Sequence, residues 1–229
     1  MGKNTAIVLA AGQGKRMNSK IQKQFLEIQG RPILYYSLYC FQESPLIDDI
    51  ILVTGKQSID YCEKDIIRKY GFTKVKDIIE GGKERYDSVY AGLLACKDTE
   101  YVLIHDGARP FITLGMIERG LACVKKTGAC SAGMPSKDTV KIVDSDGFVK
   151  ATPERDRVWI IQTPQIFSYS LIRNAHESIR RGSMTNITDD AMIVEDQTSV
   201  QVALFEGSYR NIKITTPEDL YVAEAFLKK

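Results

Sequence analysis

The sequence predicts an α/β protein on a parallel, doubly wound sheet, and three observations carry that expectation. Short apolar runs bounded by turn residues alternate with longer runs whose apolar residues recur at helical spacing, the rhythm of βαβ units. The first apolar run, Ala6–Leu9, empties into a glycine loop, Gly12-Gln13-Gly14, as strands do at the crevice of such a sheet. A length of 229 residues, 44% apolar and 26% charged, suits a soluble globular chain that buries one full core.

The elements follow in order. After strand Ala6–Leu9 come helix Ile33–Phe41, strand Ile50–Thr54, helix Ile59–Tyr70 and strand Ile78–Glu80. Helix Ser88–Cys96, strand Tyr101–His105, helix Met116–Lys126 and strand Ser131–Met134 continue the alternation. Ligands of such sheets bind beyond the carboxyl ends of the strands, where Gly12, Thr54, Gly81-Gly82 and Asp106 emerge.

The alternation stops after Met134. Residues 137–158 read as two strands joined at Asp146-Gly147. They are largely polar or charged and cannot bury themselves, and an isolated hairpin is marginal in water. They are expected to project as a β-arm and to pair with a second copy, making a homodimer. Beyond the arm, Tyr169–Arg181 and Ala191–Asp196 read as helices, and Val200–Phe205 and Ile212–Ile214 as strands. A Thr216 cap, Pro217 and the acids Glu218 and Asp219 open a last helix. With no internal repeat or linker, residues 1–229 form one expected domain.

Charge narrows the partners. A net charge of +2 supplies no broad basic field, so small anions are expected rather than nucleic acid. No segment approaches the roughly 20 apolar residues of a membrane span. Five cysteines, an odd number without Cys-x-x-Cys, suggest reduced thiols and a cytoplasmic protein.

The positive charge concentrates at the glycine loop. Lys15, Arg16, Lys20 and Lys23 fall within nine residues, and no acid precedes Glu27, so a polyphosphate is the natural counter-charge. Gly12 and Gly14 permit left-handed angles that would turn N–H groups toward one point. A phosphate-binding loop of the Gly-x-x-x-x-Gly-Lys-Ser/Thr type is excluded, and Met17 stands where a dinucleotide fingerprint needs its third glycine. The bland alternative is a strand-to-helix turn with a solvated basic face; the unopposed cations favour phosphate.

Three further clusters join the loop. Gly81 through Ser88 leaves a strand through paired glycines and enters a helix, offering N–H groups and a hydroxyl to a base or ribose. His105-Asp106-Gly107-Ala108-Arg109-Pro110 sets a carboxylate and a guanidinium at the strand end, where Asp106 could bind Mg²⁺ together with phosphate oxygens. Arg155, Arg157, Thr163, Thr188 and Lys213 provide a second set of anion and hydroxyl contacts. Two phosphorylated ligands then dictate a reaction. A phosphate monoester, with its second pKa at about 6, is already a nucleophile. It attacks the nucleotide α-phosphorus and expels pyrophosphate, while Arg16, Lys23 and a metal on Asp106 stabilise charge.

These residues resemble a known family. Leu9 through Met17, Lys23-Gln24-Phe25, Gly81-Gly82-x-x-Arg85 through Val89, His105 through Pro110, Asp138-Thr-Val-Lys141, Gln162-Thr-Pro-Gln165 and Asn211 through Asp219 are similar, in order, to 2-C-methyl-D-erythritol 4-phosphate cytidylyltransferase. The resemblance implies a three-layer, mostly parallel nucleotidyltransferase-type (Rossmann-like) sheet, with CTP and Mg²⁺, in non-mevalonate isoprenoid synthesis. It implies Arg16 and Lys23 as catalytic cations, and Ala10, Ala11, Gly12, Gly14, Gly82 and Ser88 as CTP contacts. Asp106, Arg109, Thr139, Arg155, Thr163, Thr188 and Lys213 become sugar-phosphate contacts, Asp106 also the metal contact, with Thr139 and Arg155 donated across the dimer. Gln22 replaces the proline that commonly precedes the catalytic lysine, and so implies a less rigid Lys23.

The nearest alternative is a ribitol 5-phosphate cytidylyltransferase, against which Ala11, Asp87-Ser88-Val89 and Lys141 argue. A glycosyltransferase using Asp144-Ser-Asp146 is disfavoured because those residues form a turn. A non-catalytic nucleotide-binding regulator has little use for both Arg16 and Lys23.

Overall fold

A computed structural model describes residues 2–12, 22–182 and 186–228. Gly14, Lys15, Arg16 and Lys20 lie outside the described residues.

Among these residues the central sheet has seven strands. They are β1 (Lys3–Ala10), β4 (Asp49–Thr54), β5 (Val75–Glu80), β6 (Thr99–Asp106), β7 (Ala129–Pro135), β10 (Trp159–Ser168) and β11 (Ala203–Glu206). They lie side by side in the order β11-β7-β10-β6-β1-β4-β5. β2 (Glu27–Ile28) with β3 (Arg31–Pro32), and β8 (Ile142–Val143) with β9 (Val149–Ala151), form two small antiparallel ladders. The helices are α1 (Ile33–Glu43), α2 (Ile59–Tyr61), α3 (Arg85–Ala95), α4 (Leu114–Thr127), α5 (Tyr169–Arg181), α6 (Asp190–Gln197) and α7 (Pro217–Leu227).

Period-two alternation of apolar residues places one core on each face of the sheet. On one face Ala6, Val8 and Ala10 of β1 meet Leu34, Leu38 and Phe41 of α1 and Met116, Ile117 and Leu121 of α4. On the other, Ile7 and the β4 residues Ile51 and Val53 meet Val89 and Leu93 of α3 and Ile172 and Ile179 of α5. Each fully buried Ile or Leu contributes about 1.5–3 kcal/mol, and burial on both faces explains why the strands read as continuous apolar runs. α7 closes a smaller cluster in which Ala223 packs with Ile28, Ile33 and Ile214. Its start is a capping box between Thr216 and Asp219 with Pro217 in the first turn.

The sheet is mostly parallel, as the resemblance implies: β10, a strand absent from the sequence reading, runs antiparallel between β6 and β7, and Pro164 hid it because proline argues against a central strand. The pairing slips between Ile161 and Gln165, so Pro164 sits where the ladder is interrupted. Two expectations are corrected. Ile212–Ile214 is not a strand: Ile214 donates one bond to the Ala108 carbonyl (2.9 Å), and the segment is held as a strap beside the end of β6. Finally, α2 passes into a π-helix over Cys62–Arg68, whose apolar spacing is too close to that of an α-helix to separate by pattern.

The β8–β9 hairpin turns at Asp144–Gly147, where the Asp144 carboxylate accepts from the amides of Asp146 (3.1 Å) and Phe148 (2.9 Å). Gly147 takes φ +87°, the left-handed conformation for which glycine is suited. The hairpin is less polar in effect than its composition suggests, because Ile142, Val143, Phe148 and Val149 are all exposed.

Candidate active site

A cleft opens at the carboxyl ends of β1 and β6. Its walls include Ala10, Ala11 and Gly12 leaving β1, Gly82 and Ser88 around the start of α3, and Asp106 at the end of β6. Lys23 and Lys213 line it from two separate loops.

The β1 exit is fixed through its last carbonyl. Ala10 O accepts from Gln24 Nε2 (2.5 Å) and from Thr54 Oγ1 (3.3 Å). Gln24 is buried and also donates to Gln22 Oε1 (2.7 Å). Lys23 therefore stands on a 3₁₀ turn, Lys23–Phe25, that is tied to β1. Gly12 does not have the left-handed φ that its lack of a Cβ would permit, and a Cβ there would meet no described residue within 4 Å. The missing side chain leaves room in the cleft that Gly12 lines.

The second glycine pair serves close packing. A Cβ on Gly81 would fall 2.6 Å from Ala11 Cβ and 2.7 Å from Ser88 Oγ, and one on Gly82 would strike Asp87. Ser88 is buried; its hydroxyl accepts from the Gly82 amide (3.1 Å) and donates to the Glu84 carbonyl (3.3 Å). Glu84 and Asp87 form the capping box that starts α3 at Arg85, three residues earlier than the apolar pattern indicates.

Asp106 is the electrostatic centre. Lys213 Nζ lies 2.7 Å from its Oδ2, Arg109 Nε 3.9 Å from the same oxygen, and Arg85 Nε 3.4 Å from Oδ1. Burial alone would raise the Asp106 pKa, but Arg85, Lys213 and Arg109 prevail and hold the carboxyl well below the usual range. Arg85 reaches further, to Asp190 Oδ2 at 2.7 Å. Asp190 is likewise buried, which raises its pKa, and Arg85 prevails to lower it. On its other side Asp190 Oδ1 faces His176 Nε2 at 3.3 Å.

Behind Asp106 runs a one-way hydrogen-bond chain. The Asp106 amide donates to Thr163 Oγ1 (3.1 Å), Thr163 contacts His105 Nδ1 (3.1 Å), and His105 Nε2 contacts the Arg109 carbonyl (3.1 Å). A carbonyl can only accept, so Nε2 carries the proton, Nδ1 accepts, and the Thr163 hydroxyl donates to it. Burial pushes the His105 pKa down to about 4, so the ring is neutral at pH 7.

The predicted site residues thus divide. Lys23, Ala10, Ala11, Gly12, Gly82, Ser88, Asp106 and Lys213 line one cleft. Arg109 stands behind Asp106, with its Nη1 donating to the Asn211 carbonyl (2.8 Å). Thr163 is buried, with its hydroxyl engaged on both sides. Thr139, Arg155 and Thr188 are exposed and do not line the cleft within this chain. For a metal, the described residues contain no cluster of three or more His, Cys, Asp or Glu side chains. Asp106 alone matches the sparse carboxylate set of Mg²⁺ carried on phosphates, not an all-protein cage. No described helix is long and apolar enough to cross a membrane.

Sequence reasoning missed Gln24, Asp190 and the role of Arg85. Gln24 and Arg85 both lie inside the family motifs, and the charge of Arg85 was the available signal; Asp190 gave none, being 105 positions away from its partner.

Comparison with known proteins is consistent across the chain. Residues 4–229 match the family model described as 2-C-methyl-D-erythritol 4-phosphate cytidylyltransferase. A curated protein of that name from Lachnoclostridium phytofermentans is 51% identical over 229 residues, covering 100% of this chain and 98% of its own. The crystal structure of 4-diphosphocytidyl-2C-methyl-D-erythritol synthase from Anaerococcus prevotii superposes with a TM-score of 0.88 at 37% identity, over 100% of this chain and 97% of that one. That of 2-C-methyl-D-erythritol 4-phosphate cytidylyltransferase from Thermus thermophilus gives 0.79 at 30% identity, over 97% and 98%.

Proposed function

The chain belongs to the 2-C-methyl-D-erythritol 4-phosphate cytidylyltransferase family, and on that premise we propose how its cleft transfers CMP from CTP to 2-C-methyl-D-erythritol 4-phosphate. The observation that carries the assignment of roles is spatial. The Ala10–Gly12 exit, the Gly82 turn, Lys23, Asp106 and Lys213 share one cleft, so a nucleotide and a second phosphate can meet between them.

Ala10, Ala11, Gly12, Gly14, Gly82 and Ser88 hold CTP, the glycines by letting the ligand approach the backbone and Ser88 by fixing the turn beneath it. The sugar phosphate lies toward Asp106 and Lys213, with Arg109 and Thr163 behind Asp106 holding it in place. An oxygen of its phosphate attacks the α-phosphorus of CTP in line. The new O–P bond forms as the bond to the β-phosphate oxygen breaks, and pyrophosphate leaves with that electron pair. No general base is required, since the nucleophile is already an anion at neutral pH. Arg16 and Lys23 place positive charge on the α-phosphate oxygens as charge spreads in the transition state. Mg²⁺, bound by Asp106 and phosphate oxygens, would offset the charge of the triphosphate. The neutral His105 and Thr163 fix the backbone of Asp106 rather than move protons.

The whole chain is one nucleotidyltransferase domain, with residues 137–158 as a β-arm, working in the cytoplasm as a homodimer. Support for the dimer comes from Ile142, Val143, Phe148 and Val149, exposed on an arm too small to cover them. In that dimer Thr139 and Arg155, exposed on their own chain, reach the partner's cleft.

Purified protein mixed with CTP, Mg²⁺ and each sugar phosphate in turn tests the reading through pyrophosphate release. Turnover is expected with 2-C-methyl-D-erythritol 4-phosphate; turnover of ribitol 5-phosphate alone would reject the assignment.

A further inference from the structure

We propose that Asp190 is a positioning residue for this transfer: by tethering Arg85, it keeps the Asp106 carboxylate open to the ligand.

A guanidinium pairs most strongly with one carboxylate through two parallel N–H bonds. Arg85 does not do this. Its fork is split, with Nη1 on Asp190 Oδ2 at 2.7 Å and Nε only loosely on Asp106 Oδ1 at 3.4 Å. The stronger contact goes to the carboxylate that is remote from the ligand. Asp106 already has Lys213 at 2.7 Å on its other oxygen. An untethered Arg85 would close on Asp106 with both N–H groups and occupy the remaining oxygen.

Asp190 is built to hold the tether. Its side chain has no exposure, and its amide donates to Gln165 Oε1 (3.0 Å), a buried side chain of β10. As the first residue of α6 it also lies at the positive end of the helix dipole. Its other oxygen, Oδ1, faces His176 Nε2 at 3.3 Å, so that Oδ2 is the oxygen left to hold Arg85.

The inference rests on the transfer reading, and a double-mutant cycle separates the two. Asp190→Asn keeps the shape and removes the charge. It is expected to lower kcat/KM for the sugar phosphate by about 10–100-fold, the usual effect of losing an outer-shell partner, while leaving KM for CTP within about twofold. Arg85→Gln removes the group that would close on Asp106, so the double variant should recover from the Asp190→Asn loss to the level of Arg85→Gln alone, within about twofold, the scatter of independent sites. Multiplied losses, or an Asp190→Asn enzyme with wild-type kcat/KM, would overturn the proposal. A crystal structure of Asp190→Asn should show Arg85 paired to Asp106 through two N–H groups; an unmoved Arg85 would also overturn it. Should Asp190→Asn not fold, Asp190→Glu, which keeps the charge and displaces the tether, must show the same loss at an unchanged melting temperature. Asp190→Glu with wild-type kinetics would sink the idea. A wild-type protein inactive on both sugar phosphates would instead fail the transfer reading.

Discussion

Gln24 donates to the Ala10 carbonyl at 2.5 Å, joining the last residue of β1 to the turn that carries Lys23. Gln22, just before that turn, has φ −61° and ψ 137°, dihedrals that proline also adopts. The turn is thus held by a buried amide rather than by a ring. Gln24→Leu should reduce kcat by about tenfold or more, since small misplacement of a reacting group is costly. It should also destabilise by about 1–3 kcal/mol through the lost buried hydrogen bonds. Gln22→Pro should stay folded and active. Steady-state kinetics and thermal melts of both variants check this, and a fully active Gln24→Leu would refute the tether.

Gly12→Ala separates stability from function. A Cβ there meets no described residue within 4 Å and no left-handed φ has to be maintained. The melting temperature should hold or rise slightly, by an amount equivalent to about 0.4–1 kcal/mol of reduced chain entropy. KM for CTP should increase, because the new methyl enters the cleft. A stability loss without a change in KM would contradict the placement of CTP.

His105 makes folding sensitive to acid. Its folded pKa is about 4 against an ordinary value of 6.5. As pH falls below about 6.5 the unfolded chain takes up a proton that the folded ring refuses, so stability drops until about pH 4. The full loss is on the order of 3 kcal/mol at 1.36 kcal/mol per unit. Asp106, whose folded pKa is depressed, loses its contribution only below about pH 4, in a separate window. Urea unfolding across pH should resolve the upper window, and His105→Asn should abolish it.

Phe148→Asp addresses the arm. Phe148 is 72% exposed, so a lone chain loses little by the change. In a dimer closed by the arm the new charge would be buried unpaired, at a cost of several kcal/mol. Light scattering should show a monomer, with activity on the sugar phosphate falling as Thr139 and Arg155 are withdrawn. A dimer of undiminished activity would exclude this interface.

What the sequence disclosed was local. Ala6–Leu9, the Gly81-Gly82 pair and the Thr216 cap announce themselves through neighbours a few positions away, and the structure has an element at each. β10 was hidden because Pro164 contradicts a central strand locally, while pairing with β6 and β7 on either side overrides that preference. Within the site, the glycines and Asp106 are visible as strand-end residues. Asp190 is not, because nothing near it in the chain marks an aspartate at a helix start as anything but a cap. Gln24 likewise looks like an ordinary polar residue until its carbonyl partner, 14 positions back, is seen.

The long reach of these contacts has a consequence in time. Asp106 and Thr163 are 57 positions apart, Arg109 and Asn211 102, and Arg85 and Asp190 105. Contacts between distant parts of a chain form slowly, because loop closure must come first. A nascent chain can pair β1, β4, β5 and β6 early, yet Asp106 lacks its Thr163 support until β10 inserts, and lacks Lys213 until nearly the whole chain has emerged. Catalytic competence is therefore among the last properties the molecule acquires. On refolding, recovery of turnover should lag recovery of helical signal, so that the enzyme keeps its own record of when folding is complete.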